Sequence, residues 1–415
     1  MGAVSTADAE VAVVGGGIAG ASAALHLTAL GRRVVLLERG DIASGASGVN
    51  AGMIDSLGWG SDPDLQAHLT AGSLEIFERV ALDEGLDIEL RRSGSLQVIH
   101  TPEQHDLARQ RVAALCARGH AIELLTAREA RAIEPSLSPS LLGAVYSPLR
   151  SQADPQRATL AFARLAERSG ARILTGRPVT AIEAAPGSGR GWRLRAGDLD
   201  LDADAVLIAA GAWCGPVGAL LDLDVPIVPV RGQMWATPPL PPSVFHTIAS
   251  FESALAWHRD RGGALSTRDR RPGEPPDLTH RDGIRVTRHL YGRQRRNGEV
   301  VFGGDRELAG WDATPVAAGI DVNRGHAAEA LPFLADVAPA RAWAGLMPFP
   351  VDGRPLIGRV PGRDGVWIVS GLASSGFGRG PMAGKLVAEA IHAGAVPAVL
   401  ADADPAHRIR DRAAV

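Results

Sequence analysis

Apolar positions along this chain form blocks whose spacing changes from one segment to the next. Val11 to Val14 is a short apolar run of strand type, followed after a glycine cluster by an Ala/Leu-rich helix over Ala21 to Leu30. Arg33–Leu37 is a second strand, and it ends in Glu38. Asp87–His100 alternates apolar and polar residues, which predicts strands, and EQHDLARQRVAALCARG (103–119) predicts a helix. Leu201–Trp213 reads as a strand closing on Ala-Ala-Gly. GVWIVSGLASSGFGRGPMAGKLVAEAIHAG, near the C-terminus, reads as strand, Gly/Ser loop and amphipathic helix.

These blocks predict an α/β chain in which a Rossmann-like nucleotide-binding layer is interleaved with a second, mixed-sheet α+β layer. Residues 8–85, 150–215 and 341–400 form the first, discontinuous domain; residues 86–149 and 225–340 form the second. Asn297-Gly298, within the strand-rich block, is a hairpin-turn signal. Residues 260–283, rich in Pro, Gly and charge, predict a solvated insertion or a lid. The tails, 1–7 and 401–415, predict disorder.

Composition removes several functional classes. With 46% apolar and 21% charged residues over 415 positions, two packed cores are affordable. A formal charge of −3 gives no nucleic-acid stripe and no polybasic membrane patch. No apolar run is long enough to span a bilayer, and the N-terminal residues lack a signal-peptide pattern. Two isolated cysteines, Cys116 and Cys214, build no disulfide framework and fit a reducing cytoplasm. No metal-ligand spacing appears among the twelve histidines, and Lys385 is the only lysine.

The first chemistry-bearing stretch is the glycine loop. Gly15, Gly17 and Gly20 give G-x-G-x-x-G between strand and helix. Gly15 permits the tight turn, Gly17 lets backbone approach a pyrophosphate, and Gly20 allows close helix–strand packing. The helix N-terminus, at Ile18 and Ala19, offers N–H groups to the anion. Glu38, followed by Arg39, falls where a carboxylate accepts from ribose hydroxyls. This pattern implies a dinucleotide without saying which. A second strand–glycine–helix unit at the C-terminus favours a flavin, whose reduced ring carries negative charge that a positive helix end stabilises.

The stretches VGGGIAG, ERGDIASGASGVNAGMI, RSQADPQRATLAFARLAERSGARI, VPVRGQM, WAGLMPFPVDGRPLIG and GFGRGPMAG occur in family order. On them the chain resembles the D-amino-acid oxidase superfamily, in the branch holding glycine oxidase, sarcosine oxidase and D-amino-acid dehydrogenase. The resemblance implies a glutathione-reductase-like two-domain flavoprotein that binds FAD and oxidises the C–N bond of a small amine or amino acid, with hydride passing to flavin N5. It places Ser47, Asn50, Ala51, Gly52 and Met53 along the flavin and Val179, Ala210, Gly211 and Trp213 beside the adenosine. Ser375, Gly376 and Phe377 would sit at the ring, and Tyr291 in the substrate pocket.

Departures from the family pattern matter as much. Met347 and Ser374 stand where relatives place carboxylate-binding arginines, so Arg231, Arg288, Arg293 and Arg379 are candidate replacements, with His258 or His289 as hydrogen-bonding alternatives. A thioether and two serines suit an apolar or weakly polar substrate group better than a bare carboxylate, which points to a secondary or substituted amine, or an amino acid held in an altered pose. Gly345 occupies the place of a flavin-linking cysteine, and no histidine lies between Gly31 and Leu65, which predicts non-covalent FAD. Lys385 falls outside the segment of the oxygen-activating lysine, which leans toward a dehydrogenase; the electron acceptor, oxygen or another, stays open. A flavoprotein subunit of a multi-component dehydrogenase and a nicotinamide-dependent dehydrogenase are the alternative readings.

Overall fold

The computed structural model describes residues 9–54, 64–185, 191–252, 280–281, 284–285, 290–304 and 306–412. Two eight-stranded sheets organise them. The first runs Leu356–Arg359, Val366–Ser370, Leu199–Ile208, β1 (Ala9–Val14), β2 (Val34–Leu37) and Arg172–Leu174. All neighbours on this path are parallel except the edge strand Leu356–Arg359. Val179–Ala184 and Trp192–Ala196 attach as an antiparallel extension of Leu199–Ile208. Parallel strands covered on both faces need continuous apolar runs, and β2 is Val-Val-Leu-Leu, buried throughout.

Helix α1 (Ile18–Ala29) and helices Asp64–Leu82, Pro155–Arg168 and Gly376–Ala393 share one core, with Leu27, Phe77, Phe162 and Phe377 in it. The Phe77 ring meets Phe162 edge-on at 5.8 Å. Helix α1 and the C-terminal helix Gly376–Ala393 touch backbone to backbone. A Cβ on Gly380 would lie 2.5 Å from Ile18 Cγ2, and one on Gly384 2.4 Å from the Ala19 carbonyl oxygen. Ser22 Oγ donates to the Pro381 carbonyl at 2.7 Å across this contact.

The second sheet runs Arg341–Pro350, Ile227–Pro239, Glu299–Gly303, Tyr291–Gln294, Thr247–Ser250, Ser95–Ile99, Gly143–Ser147 and Glu123–Thr126. It is mixed because Thr247–Ser250 lies parallel to Ser95–Ile99 while the other neighbours are antiparallel. The hairpin between Tyr291–Gln294 and Glu299–Gly303 turns at Asn297-Gly298, the dipeptide that signalled it. Arg341–Pro350, drawn with the nucleotide layer from sequence, is hydrogen-bonded along its whole length to Ile227–Pro239, and the first sheet resumes only at Leu356.

Two expectations need correction. Only Ser95–Ile99 of the Asp87–His100 stretch forms a strand; upstream, Arg91 makes a single bridge to Gln152. The alternation there serves surface ion pairs, Arg296 with Asp87 and Arg92 with Glu78. The C-terminal tail is also anchored through residue 412. Arg410–Asp411 pairs with Leu223–Asp224, Ile409 is buried, and Arg363 Nη2 reaches Asp411 Oδ1 at 2.8 Å. Asp411 is thereby paired with a residue just before strand Val366–Ser370 instead of facing solvent alone. Residues 260–283 lie outside the described residues apart from His280–Arg281, which pairs with Ile284–Arg285. Among the described residues, no helix is long and apolar enough to cross a membrane, and no group of three His, Cys, Asp or Glu could hold a metal ion.

Candidate cofactor and substrate cavity

A cavity of about 490 Å3 opens where the two sheets meet. Its floor is the carboxyl ends of β1, β2 and Leu199–Ile208, which is where open α/β sheets take ligands. Both α1 and the C-terminal helix point their N-termini into it, through Gly17–Ala19 and Ser374–Arg379. Neither helix has an acidic residue in its first turn, so both positive ends are presented to a bound anion.

At the nucleotide end Gly15 has φ +121°, and a Cβ there would lie 2.4 Å from the Ala209 carbonyl oxygen. Glu38, at the end of β2, accepts from the backbone N–H groups of Gly16 at 2.7 Å and Gly40 at 2.8 Å, which fixes its carboxylate on the cavity wall. Ser47 Oγ accepts from Ile18 N at 3.0 Å. Val179, Ala210, Gly211 and Trp213 line the same end, and the Arg39 guanidinium lies 3.6 Å over the Trp213 ring. Trp213 stacks in turn on Trp311 at 5.4 Å. Gly20 alone of the three motif glycines lies off the cavity. A Cβ on it would be 2.1 Å from the Gly15 carbonyl oxygen, so its role is packing, as its place in the motif predicts.

The middle of the cavity is walled by Asn50, Ala51, Gly52 and Met53. The Asn50 side chain closes its own loop, donating to the Ala46 carbonyl at 2.9 Å and accepting from Gly52 N at 2.7 Å. Gly52 has φ +77°, and a Cβ would fall 1.9 Å from the Ala153 carbonyl oxygen. Met53–Ile54 then pairs with Ser151–Gln152. Arg293 reaches in from the second sheet to donate to the Ala51 carbonyl at 2.5 Å, Gln152 Oε1 at 3.0 Å and the Ala153 carbonyl at 2.9 Å. Burial, chiefly, pushes its pKa down to about 10, which leaves it cationic at neutral pH. Side-chain-free backbone, two helix N-termini and a fixed carboxylate suit a dinucleotide carrying a ring that gains negative charge, so the residues present fit FAD.

The end of the cavity away from the glycine loop is a face of the second sheet. Gly232, Met234, Gly345, Met347 and Tyr291 lie on it, opposite Ser374, Ser375, Gly376 and Phe377. Ser374 Oγ donates to Met347 Sδ at 3.4 Å, joining the two residues that stand in place of arginines. Tyr291 Oη likewise donates to Met234 Sδ at 3.4 Å. A Cβ on Gly345 would lie 2.4 Å from Val49 Cγ2, so that position is closed by contact with the flavin-side loop.

Arg231 is corrected as a substrate-binding candidate. It faces away from the cavity, with Nη2 2.5 Å from Glu307 Oε2 and Nη1 2.9 Å from Asp312 Oδ2. Side chains alternate along a strand, and Gly232, not Arg231, takes the cavity side of Ile227–Pro239. Arg293 is committed to the loop carbonyls, and Arg379, though at the cavity wall, donates to Thr70 Oγ1 at 3.3 Å and Gln66 Oε1 at 3.2 Å. Arg288, His258 and His289 lie outside the described residues. Three cavity arginines escaped the sequence reading: Arg306 and Arg150, both buried, and Arg177, half-buried and paired with Asp198. For Arg306 the available signal was the Gly303-Gly304 pair just before it, since paired glycines ending a strand mark an irregularity that re-aims the chain.

A sequence profile described as "FAD dependent oxidoreductase" matches residues 10–390. A glycine oxidase of Pseudomonas aeruginosa is 31% identical over 396 residues, 92% of this chain and 94% of that protein. The crystal structure of glycine oxidase from Geobacillus kaustophilus superposes with a TM-score of 0.81 at 24% identity, covering 97% of this chain and 99% of that one. An iminodiacetate oxidase from Chelativorans gives 0.76 at 26% identity, covering 95% and 98%. With the profile spanning nearly the whole of the two-sheet body and its cavity, the chain belongs to the family of FAD-dependent oxidoreductases.

Proposed function

We propose that this flavoenzyme oxidises the C–N bond of a secondary or N-substituted amine to an imine, with FAD held non-covalently. FAD, when bound, supplies the hydride acceptor at its N5. The observation that carries the reading is the continuity of one cavity from two helix N-termini to the Met234, Tyr291 and Met347 face. The protein's part is positional. An apolar wall disfavours an ammonium and so favours the neutral amine from which hydride can leave. The sheet face and the Ser374–Phe377 turn hold the α-carbon in reach of the ring, where alignment at roughly 3–3.5 Å replaces acid–base help.

Two thioethers, a phenol and a serine at this end support an N-substituent on the substrate. Similarity to an oxidase named for iminodiacetate, itself a secondary amine, supports the same class. Non-covalent attachment is supported by the lining: among the described residues neither cysteine and no histidine reaches the cavity wall. Anaerobic titration of the yellow protein with primary, N-methyl and N-carboxymethyl amines, followed by flavin absorbance, tests the proposal. Bleaching is expected to be fastest with the N-substituted members. Faster turnover of glycine or D-alanine than of their N-substituted forms would overturn it.

A further inference from the structure

We infer that the substrate carries a carboxylate and that Arg306 grips it from across the strand that separates it from Met347. The inference rests on the amine-oxidising reading and names the anionic group of its substrate. Strand Ile227–Pro239 has Arg341–Pro350 on one side and the chain from Glu299 to Glu307 on the other. Met347 pairs with Val230 and Gly345 with Gly232 on the first side. On the second, Met234 pairs with Gly303 and Arg231 with Glu307. Three steps along one strand, from Arg231 to Met234, therefore face four steps along the other, from Gly303 to Glu307.

That mismatch is a bulge, and bulges re-aim side chains beside active sites. Its effect here is specific. Glu307 goes to the outer face with Arg231, and Arg306 goes inward, buried at 9% exposure and lining the cavity. Met347 and Arg306 thus flank one strand on one sheet face, separated by two strand spacings, roughly 10 Å. The strand between them presents Gly232, which has no side chain to block an approach. The other cations of the wall sit elsewhere: Arg39 stacks on Trp213 and Arg177 pairs with Asp198 at the nucleotide end, Arg379 holds Thr70 and Gln66, and Arg150 lies beside Ser95 at 3.4 Å. Ser95 is on a strand two places beyond that of Tyr291.

A guanidinium fork matches a carboxylate with two parallel N–H···O bonds, and weakly polar surroundings strengthen them. With the anchor two strands from Met347, a carboxylate substrate enters turned toward the centre of the sheet. Met347 and Ser374 are then left to face its apolar part.

The probe is (methylthio)acetate, a sarcosine isostere that has the carboxylate and lacks the oxidisable amine. Its neutral partner is (methylthio)acetamide. Binding is read from perturbation of the flavin visible spectrum in the FAD-loaded protein. Wild type is expected to bind the acid at least tenfold more tightly than the amide. R306L is expected to lose that preference and R306K to recover part of it, with flavin content per protein as the control for folding. Equal binding of acid and amide by wild type, no binding of the acid, or an undiminished preference in R306L with flavin retained would overturn the inference. If R306L loses its flavin, R306K and the wild-type acid-to-amide ratio decide. Failure of the amine reading looks different: no amine, with or without a carboxylate, would bleach the flavin.

Discussion

The Arg293 guanidinium, carried by the second sheet, donates to the backbone carbonyl of Ala51 in the wall of the cofactor cavity at 2.5 Å. One buried cation thereby fixes the cavity-wall loop against a strand of the second sheet, and its further bonds to Gln152 and Ala153 complete the clamp. Replacing it with leucine leaves buried carbonyls without a donor, at a cost of about 1–3 kcal/mol each. Arg293→Leu should release FAD during gel filtration and lower Tm by several degrees, while Arg293→Lys should lose less. Flavin-to-protein absorbance ratio after filtration is the check.

Glu38 offers a charged acceptor on the cavity wall while held by Gly16 and Gly40. Glu38→Gln keeps the shape and removes the charge that strengthens hydrogen bonds from ribose hydroxyls. FAD affinity should fall by roughly tenfold, the equivalent of about 1.4 kcal/mol. Fluorescence titration of apoprotein with FAD measures it, and an unchanged Kd would remove Glu38 from the binding set.

The contact of Gly384 with Ala19 tolerates no side chain, since even a Cβ would lie 2.4 Å from a backbone oxygen. Gly384→Val should therefore push apart the two helices whose N-termini face the cofactor. Overpacking of this kind costs roughly 1–3 kcal/mol. Tm and FAD affinity should fall together. A Tm that drops with FAD affinity intact would separate the helix contact from the binding site.

His26, on the first of these helices, is pushed down to about 4 from its ordinary 6.5, chiefly by burial and further by Lys385 and Arg79. The unfolded chain takes up the proton below about 6.5, whereas the folded one resists until about 4. Stability should consequently fall as pH drops through that window and be insensitive to this group above it. His26→Gln should flatten the decline in Tm between pH 6.5 and 4. Parallel melting series for the two proteins test this.

Acid precipitation should leave a colourless pellet and a yellow supernatant, because Gly345 is packed on Val49 and neither cysteine lines the cavity. Flavin retained in the washed pellet would contradict non-covalent binding.

Local physics made the nucleotide half legible. Val11 to Glu38 carries strand, glycine loop, helix and acid in one continuous stretch, and each residue's role follows from its neighbours in sequence. The convergence of two helix N-termini was readable for the same reason, since each unit is complete by itself. Arg231 and Arg306 were not. Which face an arginine takes depends on register against a partner strand, and here a bulge between Gly303 and Glu307 sends one in and one out. No window of sequence contains both sides of that ladder. The anchored tail was hidden likewise, because Arg410–Asp411 finds its partner at Leu223–Asp224, nearly half the chain away.

The interlocking of Gly380 and Gly384 with Ile18 and Ala19 has a consequence for biosynthesis. Translation makes the glycine loop at Gly15–Gly20 long before Gly376–Ala393, the helix that finishes its anion cradle. A nascent chain can form the first strand–turn–helix unit and still present only half a binding surface. A complete anion cradle for flavin therefore requires that Gly376–Ala393 has been made and has packed against α1.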